Sequence, residues 1–230
     1  MKSIKLAIPS MVTSLAILAG CISITYSSLD NITLAAYFII AAAVLDFFDG
    51  FLARSLKAVS SFGKQFDSLS DVINFGLAPA MIMYRLIYRS LVVLEPSSQF
   101  NIAEPGFAYY ILLNCSFLIA LFAAIRLAKF NIDDEQVKSF KGLPSPANAL
   151  FILSIGVASE QNIQLPGYSL TYNTWFLLGI VFLMSVLMVS NIRLFALKFE
   201  NYTLKSNLLR YIFILLSFLI LLFIKFPDLH

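Results

Sequence analysis

Polar residues are scarce along this chain, and their positions divide it into seven apolar runs. The runs cover roughly residues 6–27, 32–54, 65–89, 107–129, 145–162, 172–192 and 208–226. A helix rises about 1.5 Å per residue, so about 20 apolar residues cross the ~30 Å hydrocarbon layer of a bilayer. The fifth run is the shortest, and all seven are long enough to span or nearly span a membrane. Mean hydropathy is +0.85 and only 13% of residues are charged, so lipid is the expected solvent. The pattern predicts an all-α, polytopic membrane helical bundle. No repeat, low-complexity stretch or composition shift divides it, so one domain is expected over residues 1–230.

The stretch from 46 to 71, DFFDGFLARSLKAVSSFGKQFDSLSD, breaks the apolar pattern most sharply. Asp46 and Asp49 stand at i, i+3 near the end of the second run. Asp67 and Asp71 stand at i, i+4 at the start of the third. Each pair shares one face of its helix, and a hairpin brings the two pairs to one point. Four carboxylates in an apolar setting need a cation. With oxygen ligands alone that cation is hard: Mg²⁺, Mn²⁺ or Ca²⁺. Two such ions a few ångströms apart would form a phosphoryl-transfer clamp. Gly50, Ala53 and Gly63 lie one turn from carboxylates, where small side chains let a bulky ligand approach the backbone. Arg54, two turns from Asp46, offers a fork of donors suited to a diphosphate. In the basic linker 55–64, which holds Lys57 and Lys64, the hydroxyls of Ser60 and Ser61 are available to a phosphate.

Composition removes other chemistries. The single histidine is His230, so a Ser-His-Asp triad and histidine ligands are excluded. Cys21 and Cys115 sit in apolar runs without metal-site spacing and are read as packing residues. Lys2, Lys5 and Leu18-Ala19-Gly20-Cys21 imitate a lipoprotein signal, but the apolar run continues to Tyr26, as a membrane span does. Pro144 and Pro146 open the fifth run, as suits a helix N-terminus, and Pro79 is expected to bend the third.

With the N-terminus inside, the inner ends carry Lys2, Lys5, Arg54, Lys57, Lys64, Arg126, Lys129, Lys138, Lys141, Arg193, Lys198, Lys205 and Arg210. The outer ends carry Arg85, Arg89 and Lys225. This asymmetry puts the aspartates at the cytoplasmic face. The acidic run Asp133-Asp134-Glu135 reads as a solvated loop.

Written as a pattern, Asp46, Asp49, Gly50, Ala53, Arg54, Gly63, Asp67 and Asp71 give D-x2-D-G-x2-A-R-x8-G-x3-D-x3-D. This resembles the signature of the CDP-alcohol phosphatidyltransferases at every fixed position. The RLAKFN stretch beginning at Arg126, F-x-GLP-x-PA beginning at Phe140 and DSLSDVINFGLAPA beginning at Asp67 are most similar to the integral-membrane phosphatidylserine synthases. The resemblance covers about residues 8–200. It implies a six-helix core plus one further C-terminal helix, and a homodimer in the bacterial cytoplasmic (inner) membrane. It also implies a reaction: CDP-diacylglycerol and L-serine give phosphatidylserine and CMP, assisted by Mg²⁺ or Mn²⁺, with two ions expected. Asp46, Asp49, Asp67 and Asp71 would hold metal, and Asp71 would also act as the base. Thr13 belongs to a Pro-x3-Thr stretch that lies near the nucleotide in those enzymes, although Ser10 replaces their Asn. With Thr13, the residues Gly50, Ala53, Arg54, Ser60 and Gly63 would line the CDP-diacylglycerol site. Arg126 is the candidate for the serine carboxylate. The alternatives are another acceptor (glycerol phosphate, inositol phosphate or choline) or, from a different class, a cation transporter. A transporter calls for carboxylates near the membrane midplane, whereas these stand at helix ends. No nucleic-acid partner is expected.

Overall fold

Helices form where the apolar runs lie, and capping side chains set several of their ends. The computed structural model describes residues 2–58, 60–93, 106–132, 142–160 and 173–192. The expected span at 208–226 and the acidic run Asp133–Glu135 lie outside the described residues. So do Lys138, Lys141, Arg193, Lys198, Lys205, Arg210 and Lys225.

Helices α1 (Lys2–Ser28) and α2 (Ile32–Ser55) form a closely packed hairpin. Asp30 reverses the chain in the left-handed region, with φ 67°, and Asn31 caps α2 by accepting a hydrogen bond from Leu34 N at 3.0 Å. Helix α1 runs unbroken through Cys21. Helix α3 (Ser61–Asp71) passes through a π-helical turn, Val72–Leu77, into α4 (Ala78–Val93). The π-turn precedes Pro79, which has no N–H and whose ring crowds the carbonyl four residues back, at Phe75. Widening the helix there is how the chain accommodates the proline. Helices α5 (Phe107–Asn114) and α6 (Leu118–Ile132) are joined by a 3₁₀ turn at Cys115–Phe117. Helices α7 (Ser145–Glu160) and α8 (Thr174–Val189) complete the described bundle. Six of the seven apolar runs are thus helical. Ala7–Ser28, Ile32–Ser55 and Phe107–Ile132 are long and apolar enough to cross a membrane, and Thr174–Val189 is a shorter apolar helix.

Ile32 and Ile39 of α2, Ile82 and Leu86 of α4, Ile119 of α6, Ile152 of α7 and Leu177 of α8 form the buried core. Outward faces stay apolar, with Phe47, Phe51, Trp175 and Phe182 exposed, as lipid contact requires. Small residues set the close crossings. A Cβ on Gly156 would lie 2.7 Å from Ile32 Cγ2 and 2.9 Å from Ile82 Cγ2.

An ionic network ties the helices together at the end opposite the aspartates. Arg85 and Arg89 both reach Asp30 Oδ1, at 2.8 and 2.9 Å, and Arg89 Nη2 lies 3.2 Å from Glu160 Oε1. Glu160 also accepts from the amides of Ile32 and Thr33, at 2.8 and 2.7 Å, and from the Thr33 hydroxyl. The end of α7 thereby caps the start of α2. Burial opposes ionisation of Asp30, but the hydrogen bonds from Arg85 and Arg89 outweigh it and hold its carboxyl below the usual range. Sequence reading treated these arginines as topology signals only.

Candidate active site

The turn between α2 and α3 determines which side chains meet. Helix α2 ends with Leu56 N on Leu52 O at 2.9 Å and Ala58 N on Ala53 O at 2.8 Å, while Lys57 takes a left-handed φ of 51°. These bonds close the helix end in a tight reversal. Ser60 then caps α3, its hydroxyl oxygen accepting from Gly63 N at 3.0 Å. That bond uses a lone pair and leaves the Ser60 proton available to a ligand. Thr13 on α1 completes the arrangement: its Oγ1 lies 2.5 Å from Asp49 Oδ2 and 3.0 Å from Pro9 O. The shorter contact is a hydrogen bond donated by the Thr13 hydroxyl to the carboxylate.

One carboxylate oxygen from each of Asp46, Asp49 and Asp67 lies within 4.8 Å of the others. Oxygen ligands on opposite sides of Mg²⁺ stand about 4 Å apart, and those around Ca²⁺ about 5 Å. The three carboxylates therefore fit a hard divalent cation. Among the described residues no Lys or Arg pairs with any of the four aspartates. Asp71 adjoins the trio. Its carboxyl contacts that of Asp46, it is within electrostatic reach of Arg126, and its Oδ1 is buried without a hydrogen-bond partner.

A cleft of about 200 Å³ opens beside the trio. Pro9, Ser10 and Thr13 line it from α1, Asp49, Gly50 and Ala53 from α2, Ala58 and Ser60 from the linker, and Gly63, Lys64 and Asp67 from α3. Thr13, Gly50, Ala53, Ser60 and Gly63, all expected from sequence, are thus brought together. Arg54 is not among the residues lining it: its side chain is exposed and its Nε donates to Gly50 O at 3.0 Å. The cation facing the cleft is Lys64, which sequence reading assigned only to a basic linker. Its i, i+3 spacing to Asp67 on α3 was the available signal.

Arg126 lies in a second, smaller cleft with Lys129, Phe130, Met188, Val189, Ser190 and Asn191. Its Nη1 is 3.3 Å from Ser145 Oγ at the start of α7, and its Nε is buried and unpartnered. Gly142, at φ 77°, ties the chain entering α7 to the end of α8: its N donates to Ile192 O at 3.0 Å, and Leu143 N donates to Leu187 O at 3.0 Å. Asp71 is within electrostatic reach of Asp46 and Asp67 of the trio and of Arg126 in this second cleft.

Residues 6–189 match the family model described as CDP-alcohol phosphatidyltransferase. The chain is 36% identical over 213 residues to a CDP-diacylglycerol–serine O-phosphatidyltransferase of Helicobacter pylori strain J99, covering 91% of this chain and 81% of that protein. It is 33% identical over 139 residues to the Bacillus subtilis protein of the same name, covering 60% of this chain and 69% of that one. An archaetidylserine synthase of Methanothermobacter thermautotrophicus is 32% identical over 189 residues, covering 81% and 69% respectively.

Proposed function

The chain belongs to the CDP-alcohol phosphatidyltransferase family, and from that premise we propose that it transfers the phosphatidyl group of CDP-diacylglycerol to L-serine. The serine oxygen forms a bond to the lipid-side phosphorus, the bond from that phosphorus to CMP breaks, and the serine hydroxyl proton passes to Asp71. The observation that carries this reading is the placement of four aspartates: three oxygens converge, while Asp71 stands beside them with an unpartnered buried oxygen.

Asp46, Asp49 and Asp67 are the residues that would hold Mg²⁺ or Mn²⁺, with Asp71 near enough to join a second ion. Such a cation, when bound, would supply charge neutralisation for the diphosphate and the departing CMP. Thr13 fixes the rotamer of Asp49. Gly50, Ala53 and Gly63 leave room for the diphosphate, and Ser60 and Lys64 donate to it. Arg54 joins them only by giving up its bond to Gly50. Asp71, as general base, takes the proton of the attacking hydroxyl. Arg126 binds the serine carboxylate through its guanidinium fork. The basic residues clustered at the aspartate end support a cytoplasm-facing site in an inner membrane.

Serine as acceptor is supported by the names of the relatives, each of which carries it. The deciding experiment gives purified protein CDP-diacylglycerol with L-serine, glycerol phosphate, inositol phosphate or choline in turn and measures CMP release. Serine should give rapid release and the others little. Rapid release with another acceptor and none with serine would overturn the assignment.

A further inference from the structure

A helix bundle in lipid must satisfy its polar groups internally, because hydrocarbon offers none in return. Six side-chain polar atoms among the described residues are buried without a partner, and five of them are Asp71 Oδ1, Asn74 Oδ1, Arg126 Nε, Asn148 Oδ1 and Ser185 Oγ. These five come from α3, the π-turn, α6, α7 and α8. Arg126, Asn148 and Ser185 lie within about two turns of the aspartate end of α6, α7 and α8, and Asp71 leads directly into the π-turn that holds Asn74. The π-turn packs against α6 and α7, and α8 packs against both of those helices. Asn74 and Asn148 are wholly inaccessible and Ser185 nearly so. A polar layer whose atoms lack hydrogen-bond partners, in a chain that is 60% hydrophobic, points to a small polar molecule as its missing partner.

Asn148 indicates the chemistry of that molecule. It lies one turn into α7 from Ser145, the residue that touches Arg126. Its amide nitrogen donates one hydrogen to Met188 Sδ at 3.5 Å, and Met188 also lines the Arg126 cleft. The oxygen left over can only accept. A carboxylate or phosphate would meet it lone pair to lone pair, whereas an ammonium brings N–H donors. Resting on the serine-transfer reading, we propose that this layer is the acceptor site and that Asn148 is its amine-reading residue. Its Oδ1 accepts from the acceptor's ammonium while Arg126 holds the carboxylate and Asp71 faces the hydroxyl. Asn148 then sets specificity for a primary amino alcohol. Glycerol phosphate has no amine, and the quaternary nitrogen of choline has no N–H to give.

The test compares L-serine with 3-hydroxypropanoate, which is serine without its ammonium, by kcat/KM for CMP release from CDP-diacylglycerol. Wild type should prefer serine, and Asn148→Leu should shrink that preference roughly 10- to 100-fold, the usual worth of a hydrogen bond to a charged group. Asn148→Asp keeps an accepting oxygen and should retain the preference. If Asn148→Leu leaves the preference unchanged, or slows both acceptors equally, Asn148 only packs the bundle and the proposal fails. Should Asn148→Leu not fold, Asn148→Asp decides alone, since loss of the serine preference there overturns the assignment. A wild type that releases no CMP with serine would instead sink the underlying reading, a result separate from any behaviour of the variants.

Discussion

On the proposed mechanism Asp71 and Arg126 divide the acceptor between them, so their variants should fail in different ways. Asp71→Asn removes a base without removing any of the three converging carboxylates. It should lower kcat by roughly 10²–10⁴-fold while CDP-diacylglycerol still binds. Loss of nucleotide binding instead would make Asp71 chiefly a metal ligand. Asp46→Asn and Asp67→Asn each take a charge from the trio and should abolish most activity. Excess chelator should do the same to wild type, with Mg²⁺ or Mn²⁺ restoring it, and full activity in chelator would refute metal assistance. Arg126→Lys keeps the charge but loses the fork and the Ser145 contact. It should raise KM for serine by an amount worth about 1.5–3 kcal/mol and spare KM for the lipid nucleotide. Serinol, which lacks the carboxylate, should react equally poorly with both proteins. The aspartates and small residues were legible in the sequence because helical spacing alone puts them on shared faces. Arg54 was not, since a long side chain near a helix end can turn back onto its own carbonyls, as it does onto Gly50. Asn148 carried no signal either. Its significance lies in an oxygen without a partner, which only the packing of α7 against its neighbours reveals.

Among the elements, the apolar runs predicted helices to within a few residues where a run and its cap coincide, as at Asn31 and α2. The third run differs from its helices in where it starts, since α3 begins at Ser61 because Ser60 caps it, and a π-turn precedes Pro79, where a bend was expected. Besides Pro79, contacts between helices set this turn, and the contacts here are specific. Asn74 within it donates to Ser70 Oγ at 3.0 Å, and a Cβ added to Gly20 of α1 would fall 2.1 Å from Asn74 Oδ1. Gly20→Ala should therefore displace the π-turn that follows Asp71, lowering activity more than Cys21→Ala beside it. Gly142→Ala faces two obstacles at once, a φ of 77° and a Cβ 2.4 Å from Met188 O. It should cost about 2–4 kcal/mol, measured as a lowered thermal midpoint in detergent. Gly179→Ala, with nothing within 4 Å of the new Cβ, supplies the control and should be neutral or mildly stabilising. Equal behaviour of Gly142→Ala and Gly179→Ala would show that the junction of α7 with α8 is looser than its backbone hydrogen bonds require.

At the scale of the whole molecule, the two ends of the bundle differ in how their charges are used. Arg85 and Arg89 are neutralised by Asp30 and Glu160, in a network that closes the end away from the aspartates. Arg54, Lys57, Lys64, Arg126 and Lys129 gather at the aspartate end, and none of them forms an ion pair among the described residues. The positive-inside rule counts these Lys and Arg residues toward a cytoplasmic aspartate end, the orientation expected from the sequence. The expected orientation puts the 200 Å³ cleft in the cytoplasm, where nucleotide and divalent metal are found. It is checked in intact cells with single cysteines in a background lacking Cys21 and Cys115. Lys57→Cys, in the α2–α3 turn, should react with a membrane-impermeant thiol reagent only after the membrane is opened. Leu29→Cys, at an exposed position in the α1–α2 turn, should react from outside. Reaction of Lys57→Cys in sealed cells would invert the bundle and place the aspartates on the wrong side for a CMP-releasing enzyme. With that orientation fixed, the same reagent applied to a cysteine after residue 226 counts the spans: labelling from outside means that 208–226 crosses the membrane as the seventh.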